Sequence, residues 1–437
     1  MIIMRQGALR LRVNFTAASL THFGGVYLLH QFLQKLRLRS LLYRMIPYQQ
    51  RNNRYTLSEL LLAQLYPMML GFETIEESAL LKTDGVFQYI VGLPSFPNAT
   101  TLRRFLVRSA PIIQPYFHAT HNVLREYFLT LPSTRSSFCL DFDSTAKTLY
   151  GNQEGVVRGY NPGHKGKKSY HPLICTEAHL RDCLGGRLRY GNAHTAEGVE
   201  EMFDEVIELL PHKQRLRIRA DAGFYNGKFI SKVNDRKIGF AIVTPISQSM
   251  KYRLPGLRYQ HVNDVEATAE FNYKPYRWPE EHRFVVLREK LTEKRKEQLK
   301  LLTVDAHAFH VIVTNLPLTP FGVFNFYEER AGIERIVRIL KDDYPFASAP
   351  TKSFVANSLH AELSLLAYNL IIWFKRLCLP EDWQSYTVET LRQRLFLIPG
   401  VFTKTRNRPT LKLPKNSPYR DTFEYAQDHI QKLEPLT

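Results

Sequence analysis

The sequence predicts a mixed α/β protein, with helices first, then a sheet carrying helices on its faces, then helices again. Three observations carry that reading. Apolar residues recur at three- and four-residue spacing over about 24–128. Short apolar runs bounded by turn residues take over from 136, and helical spacing returns over 320–342 and 355–378. With 437 residues, 44% hydrophobic and 23% charged, 22 Gly and 24 Pro, the chain can bury a sizeable core in about two to four domains. That composition excludes bulk disorder and collagen-like repeats.

In the first region, 1–135, VYLLHQFLQKLRLRSLLYRMI and TLSELLLAQLYPMML carry the helical period. Thr56 and Glu59 have the spacing of a capping box, and Gly71 punctuates the run. A polar cap at Asn98 opens another helix through TTLRRFLVR. Several short basic helices fit a helix-turn-helix DNA-binding domain or a plain packing module. From 136 to 244 the predicted order is three strands (SSFCLDF, TAKTLY, HPLICTEAH), a helix over 196–210, strand RLRIRAD, a helix over 228–236 and strand GFAIVT.

Residues 245–317 leave that scheme as a β-rich insertion, with strands at RFVVLRE, LLTVDA and FHVIVTN. The charged stretch KLTEKRKEQLK between the first two reads as a solvated helix or hairpin. Helices over 320–342 and 355–378 fill the segment 318–380. The C-terminal tail, 381–437, holds a helical patch over 388–397 and a basic loop near KTRNRPTLKLPK.

Lys plus Arg is 59 against 41 for Asp plus Glu, a net charge of +18. Such an excess attracts nucleic acid or an anionic membrane surface. The longest apolar run, 363–374, falls short of the roughly 20 residues a spanning helix needs. The opening MIIMRQGALRLRVNF has no apolar stretch with a cleavage site. No membrane partner and a cytoplasmic location are therefore expected. The four cysteines form no CxxC pair, so neither a zinc module nor a disulfide framework is indicated.

Three stretches can carry chemistry. In LDFDST, strand alternation puts Asp141 and Asp143 on one face and Leu140 and Phe142 on the other. Carboxylates ending an apolar strand need solvent, hydrogen bonds or a metal, although a strand-end turn capped by Asp143 and Ser144 also explains them. In RIRADAGFY, Asp221 ends a strand and Gly223 permits a sharp turn; a turn aspartate is the plainer explanation. In YEERAGIERIVRILK, Tyr327, Arg330, Glu334 and Lys341 fall within a stripe of about 60° at roughly 100° per residue. Ile333, Ile336, Val337, Ile339 and Leu340 centre about 120° away, free to pack on a sheet. A charged stripe is commonly just a solvated face; an acid flanked by two bases and an aromatic suits a metal ligand among phosphate contacts.

The spacing of Tyr327, Arg330, Glu334 and Lys341 resembles the tyrosine-arginine-glutamate-lysine signature of cut-and-paste DDE transposases from bacterial insertion sequences. LDFDSTAKTLYG is similar to that group's first-aspartate strand and RADAGFY to its second. The likeness is good over 136–378 and loose elsewhere. It implies an α/β, ribonuclease-H-like mixed sheet with flanking helices, interrupted by a β-rich insertion before the last catalytic helix and preceded by a helical N-terminal domain. It implies Asp143, Asp221 and Glu334 as catalytic, metal-binding carboxylates, with Asp141 open as an alternative first ligand. Tyr327, Arg330 and Lys341 would contact DNA. The implied cofactor is Mg²⁺, with Mn²⁺ able to substitute. The implied partners are double-stranded DNA, as inverted-repeat ends and target, and a second copy in a synaptic homodimer on the nucleoid. The implied reaction is strand cleavage followed by strand transfer. Two other readings stand beside it: a ribonuclease-H-like nuclease without strand transfer, and a non-cutting DNA-binding regulator.

The turn RGYNPGHKGKKSYHP, with Arg158, Lys165, Lys167 and Lys168, is expected to track a DNA backbone, with Tyr160 and Tyr170 placed to stack a base. Basic hairpin tips are often merely solvated. The resemblance further suggests that Trp278 stacks on a flipped base, against a buried structural role. His194, ahead of the helix over 196–210, fits a phosphate contact or a simple cap.

Overall fold

The computed structural model describes residues 13–49, 54–131, 137–211, 215–291, 303–304, 307–405 and 408–436. The charged stretch at 290–300 lies almost wholly outside these residues.

The strands that organise the molecule are β1 (Ser137–Ser144), β2 (Leu173–Glu177), β3 (Cys183–Arg187), β4 (Arg215–Ala220), β5 (Gly239–Val243), β6 (Glu266–Tyr273), β7 (His282–Lys290) and β8 (His307–Thr314). Among the described residues they form one mixed sheet, in the spatial order β6-β7-β8-β5-β4-β1-β2-β3. The first three sequential strands run antiparallel, while β4 and β5 lie parallel to β1. This is the ribonuclease-H-like order. The β-rich insertion does not stand apart from it: β8 pairs antiparallel with β5 and extends the same sheet.

Two strand assignments need correction. TAKTLY yields only Lys147–Thr148, which belongs to a separate small sheet with Val157–Arg158 and Lys168–Tyr170. The third strand of the main sheet is CLGGR, whose paired glycines argue against a strand on propensity. Packing explains them. A Cβ on Gly185 would lie 2.9 Å from Met202 Cγ, and one on Gly186 would lie 2.2 Å from Leu365 Cδ1, so helices press directly on both faces of the strand. β6, which the sequence reading left out, pairs along its whole length with β7.

Among the described residues the α-helices of seven or more residues are α1 (Val26–Lys35), α2 (Leu38–Met45), α3 (Leu57–Leu70), α4 (Gly85–Val91), α5 (Ala99–Thr130), α6 (Val199–Leu209), α7 (Gly227–Asp235), α8 (Pro320–Glu328), α9 (Ala331–Asp342), α10 (Phe354–Cys378) and α11 (Arg420–Lys432). The first predicted run divides at Arg37, which takes a left-handed φ of 50°. The capping box holds: Thr56 N donates to Glu59 Oε2 at 2.8 Å and Glu59 N to Thr56 Oγ1 at 3.3 Å. Gly71, at φ 90°, ends α3 in the left-handed region that suits glycine. The expected short helix after Asn98 is 32 residues long.

One face of the sheet buries Leu140, Phe142, Ile218 and Ile242 against α6 and α7. On the other face, α8 covers Ala241, Val285 and Ile312, and α9 and α10 share a core with α1 to α5 and the C-terminal segment. The apolar run over 363–374 is the centre of α10, buried on nearly every side. No helix among the described residues is long and apolar enough to cross a membrane. Asn369 of α10 accepts from Cys183 N at 2.8 Å and donates to Cys183 O at 2.9 Å. It thereby serves the backbone of edge strand β3 as another strand would.

The tail is packed into the same core. Trp383, Leu391, Phe396 and Ile430 are buried there. The basic loop forms a hairpin of Gly400–Thr405 with Arg408–Lys412, and Leu20–Thr21 from near the opposite end of the chain pairs with it.

Candidate active site

β1 and β4 are parallel neighbours with Asp141 opposite Arg219 and Phe142 opposite Ala220. Continuing that register by one residue brings Asp143 alongside Asp221 at the C-terminal ends of adjacent strands, whose backbones run about 4.8 Å apart. Ligand-binding residues gather at such ends in α/β sheets. Asp221 also accepts from Gly223 N at 2.9 Å, which fixes the turn that follows.

Burial pushes the Asp143 carboxyl up to about 6; Arg330 opposes the shift and Asp221 adds to it. Arg330 Nη2 donates to Asp143 Oδ1 and to the Phe142 carbonyl, both at 3.0 Å. Arg330 Nε is buried without a hydrogen-bond partner among the described residues. The Tyr327 phenol is raised by burial and by Asp221 and Asp143, with Arg330 acting against them. These four side chains therefore belong to one electrostatic neighbourhood.

Asp141 lies in a different environment on the same strand face. Its carboxylate takes two bonds from Arg219, at 2.7 and 3.0 Å, and both side chains are 1% exposed. Arg219 also donates to the Phe326 carbonyl at 2.7 Å, which fastens the end of α8 to the sheet. The sequence reading missed Arg219. Its position one residue before Ala220, in a strand alternating basic and apolar residues, was the available signal.

Lys341 donates to Thr145 Oγ1 at 3.2 Å and to the Ala146 carbonyl at 3.0 Å, holding the turn that follows Asp143. Burial, then Lys147, lowers its ammonium. Ser144 Oγ bonds His171 Nε2 at 3.1 Å, and His171 Nδ1 donates to the Ala193 carbonyl at 2.8 Å. This chain ties the same strand end to the loop that precedes α6, and nothing in the sequence pattern pointed to it.

The single polar stripe expected along 327–341 is not what forms. The helix is interrupted at Glu329–Arg330, where tighter three-residue bonds link Arg330 N to Tyr327 O and Ile333 N to Arg330 O. Arg330 turns inward and is 6% exposed, whereas Glu334 is exposed on α9. Among the described residues no three His, Cys, Asp or Glu side chains form a group able to hold a metal. The donors that do meet, two carboxylates at neighbouring strand ends with one raised towards neutrality, have the oxygen chemistry of a hard divalent cation.

Arg158, Lys165, Lys167 and Lys168 are all exposed, with Arg158 opposite Lys168 across their strand pair. Asn161 orders the turn by donating to Thr148 Oγ1 at 2.9 Å and accepting from His164 N at 3.2 Å. Tyr160 is exposed, but Tyr170 is fully buried, its hydroxyl donating to the Glu154 carbonyl. Tyr170 therefore cannot stack a base, because it anchors the hairpin to the body. His194 caps locally, accepting from Ala196 N at 3.3 Å. Trp278 is half-buried against Tyr225, with ring centroids 4.8 Å apart, beside a cleft of about 610 Å³ that also borders Asn226 and Lys228.

The chain matches the family model described as transposase DDE domain group 1 over residues 4–435. No curated protein matches it. Among solved structures it is similar to a piggyBac transposase in a synaptic complex with hairpin DNA, determined by cryo-electron microscopy. That likeness has 11% identity and a TM-score of 0.47, covering 95% of this chain and 86% of the other.

Proposed function

The chain belongs to the DDE transposase family over nearly its whole length, and from that premise we propose that it cuts DNA at the inverted-repeat ends of an insertion sequence and joins the freed 3′-hydroxyls to target DNA. In the first step a water oxygen bonds to phosphorus and the 3′ oxygen leaves. In the second, that 3′-hydroxyl attacks a target phosphodiester and displaces its 3′ oxygen.

The observation that carries this reading is that Asp143 and Asp221 each follow the last paired positions, Phe142 and Ala220, at adjacent strand ends and act on each other electrostatically, with Arg330 on Asp143. Asp141, neutralised by Arg219, is spoken for, which supports Asp143 as the first ligand. Asp143 and Asp221 would hold Mg²⁺ or Mn²⁺, with Glu334 completing the set once DNA is bound. When present, the ions would polarise the phosphate and lower the pKa of the attacking water. Arg330 keeps the Asp143 carboxylate oriented, and its unpartnered Nε is a donor suited to a phosphate oxygen. Lys341 holds the turn after Asp143, and Tyr327 lines the same neighbourhood. Arg158, Lys165, Lys167 and Lys168 would contact backbone phosphates. Residues 1–135 would contribute to end recognition, and two copies would synapse two ends on the nucleoid.

One observation favours a second reading, a non-cutting DNA-binding regulator: Glu334 is exposed and joins no metal-holding group among the described residues. Incubating the protein with its flanking inverted repeats and Mg²⁺ separates the two. Nicking at the element ends, lost in Asp143→Asn, Asp221→Asn and Glu334→Gln, is the expected result. Binding without nicking under any divalent ion would leave the regulator reading. Strand transfer of a pre-cut end distinguishes the transposase from a plain nuclease.

A further inference from the structure

Away from the acidic pair, α5 and residues 349–352 enclose a cleft of about 550 Å³. Among the described residues its lining includes Arg103, Arg104, Arg108 and Lys352 and no Asp or Glu. Arg103 is committed to the structure, with Nε donating to the Pro350 carbonyl at 3.1 Å and an ion pair to Glu76. Arg104, Arg108 and Lys352 are exposed and make no ion pair among the described residues. The nearest acids are engaged elsewhere, Glu76 by Arg103 and Glu154 by Phe354 N, so the three exposed cations carry a repulsive cost that an anion would relieve.

The walls are preformed. Glu154 N donates to the Lys352 carbonyl at 3.0 Å, and Phe354 N donates to Glu154 Oε2 at 2.9 Å. The cleft is also continuous with the basic turn, since Lys168 Nζ donates to Asn152 Oδ1 on its rim at 3.3 Å. At the far edge of the same small sheet, Lys147 Nζ donates to the Lys341 carbonyl at 2.9 Å, beside the strand end that carries Asp143. A basic track thus runs from the acidic pair, across the hairpin, to α5.

We propose that this cleft grips the phosphodiester backbone of double-stranded DNA at a distance from the scissile bond, through Arg104, Arg108 and Lys352. Arg104 and Arg108 lie one helical turn apart, about 6 Å along α5. They are arrayed along a line instead of converging on a point, which suits an extended polyanion better than a small free anion. The proposal rests on the DNA reading above but concerns residues outside the transposase signature.

The test compares the full-length wild type with Arg104→Ala/Arg108→Ala in binding to a fluorescent duplex across a salt series. Each phosphate contact contributes about 0.9 to the slope of log affinity on log salt, so the expected slope falls by about 1.8. Counter-ion release alone then weakens binding roughly 60-fold at 0.1 M salt. Arg104→Lys/Arg108→Lys should restore the slope. Arg215→Ala/Lys237→Ala, which removes equal charge from the exposed surface at the opposite end of the strands, should leave it unchanged. A slope in Arg104→Ala/Arg108→Ala equal to the wild type's, or an equal fall in the Arg215/Lys237 variant, overturns the cleft while leaving the DNA reading intact. A flat salt response in the wild type overturns both.

Discussion

The middle and the end of strand β1 carry the same chemical group with opposite consequences. Asp141 is sealed in a bidentate pair with Arg219, both 1% exposed, and its charge is consumed in holding α8 to the sheet. Asp143, two residues on, sits where the strand runs out, beside a second carboxylate and a single bond from Arg330. In the proposed mechanism Asp143 is available to a substrate or ion because its compensation is incomplete. A buried group that is fully paired has no capacity left for a substrate or ion.

The largest effect that would test this contrast is on cleavage. Asp143→Asn or Asp221→Asn should reduce end nicking at least about a thousandfold, roughly 4 kcal/mol in the barrier, while duplex binding by anisotropy stays near the wild type. Asp141→Ala should instead act on the fold. Leaving buried Arg219 with only its 3.4 Å ion pair to the exposed Glu329 carboxylate should destabilise the protein by about 3 to 5 kcal/mol in denaturant melts. Asp141→Leu/Arg219→Met should recover much of that loss; full activity and unchanged stability in Asp141→Ala would erase the distinction between the two sites.

The next effect is on proton linkage. Asp143 titrates near 6 against an ordinary 3.8, so folding takes up a proton between those values. This group therefore favours the metal-free fold below that window, and its contribution declines as pH rises through about 6. Divalent ions need the carboxylate, so Mg²⁺ affinity by calorimetry should climb as pH rises to about 6 and level off above it. Arg330→Met should move that midpoint upward; an affinity flat from pH 5 to pH 8 would place the binding elsewhere.

The smallest effect concerns the basic turn. Lys165→Ala/Lys167→Ala should lower the salt slope of duplex binding by about 1.8 and leave the melting temperature unchanged. Tyr170→Phe should weaken the fold through the lost bond to Glu154 without altering base contacts.

Much of this molecule was legible from residue order. Period-two and 3.6 patterns located β1, β4, β5 and α10 to within a residue or two, because each carries its own apolar face. Strand β3 was missed because CLGGR draws its identity from Met202 and Leu365 pressing on glycines, contacts invisible in a window of five residues. The wheel drawn through 327–341 assumed an unbroken helix. The break at Glu329–Arg330 sends Arg330 inward and leaves Glu334 outside.

Local chemistry thus specified which residues could lie on which face of a strand or helix, since periodicity and turn preference act over a few neighbours. Asp143 was brought beside Asp221, Asp141 was neutralised by Arg219, and α5 came to face residues 349–352 through register and packing between segments 78 or more positions apart. Those pairings are set by competition among whole surfaces for burial, and no local pattern along the chain encodes their outcome.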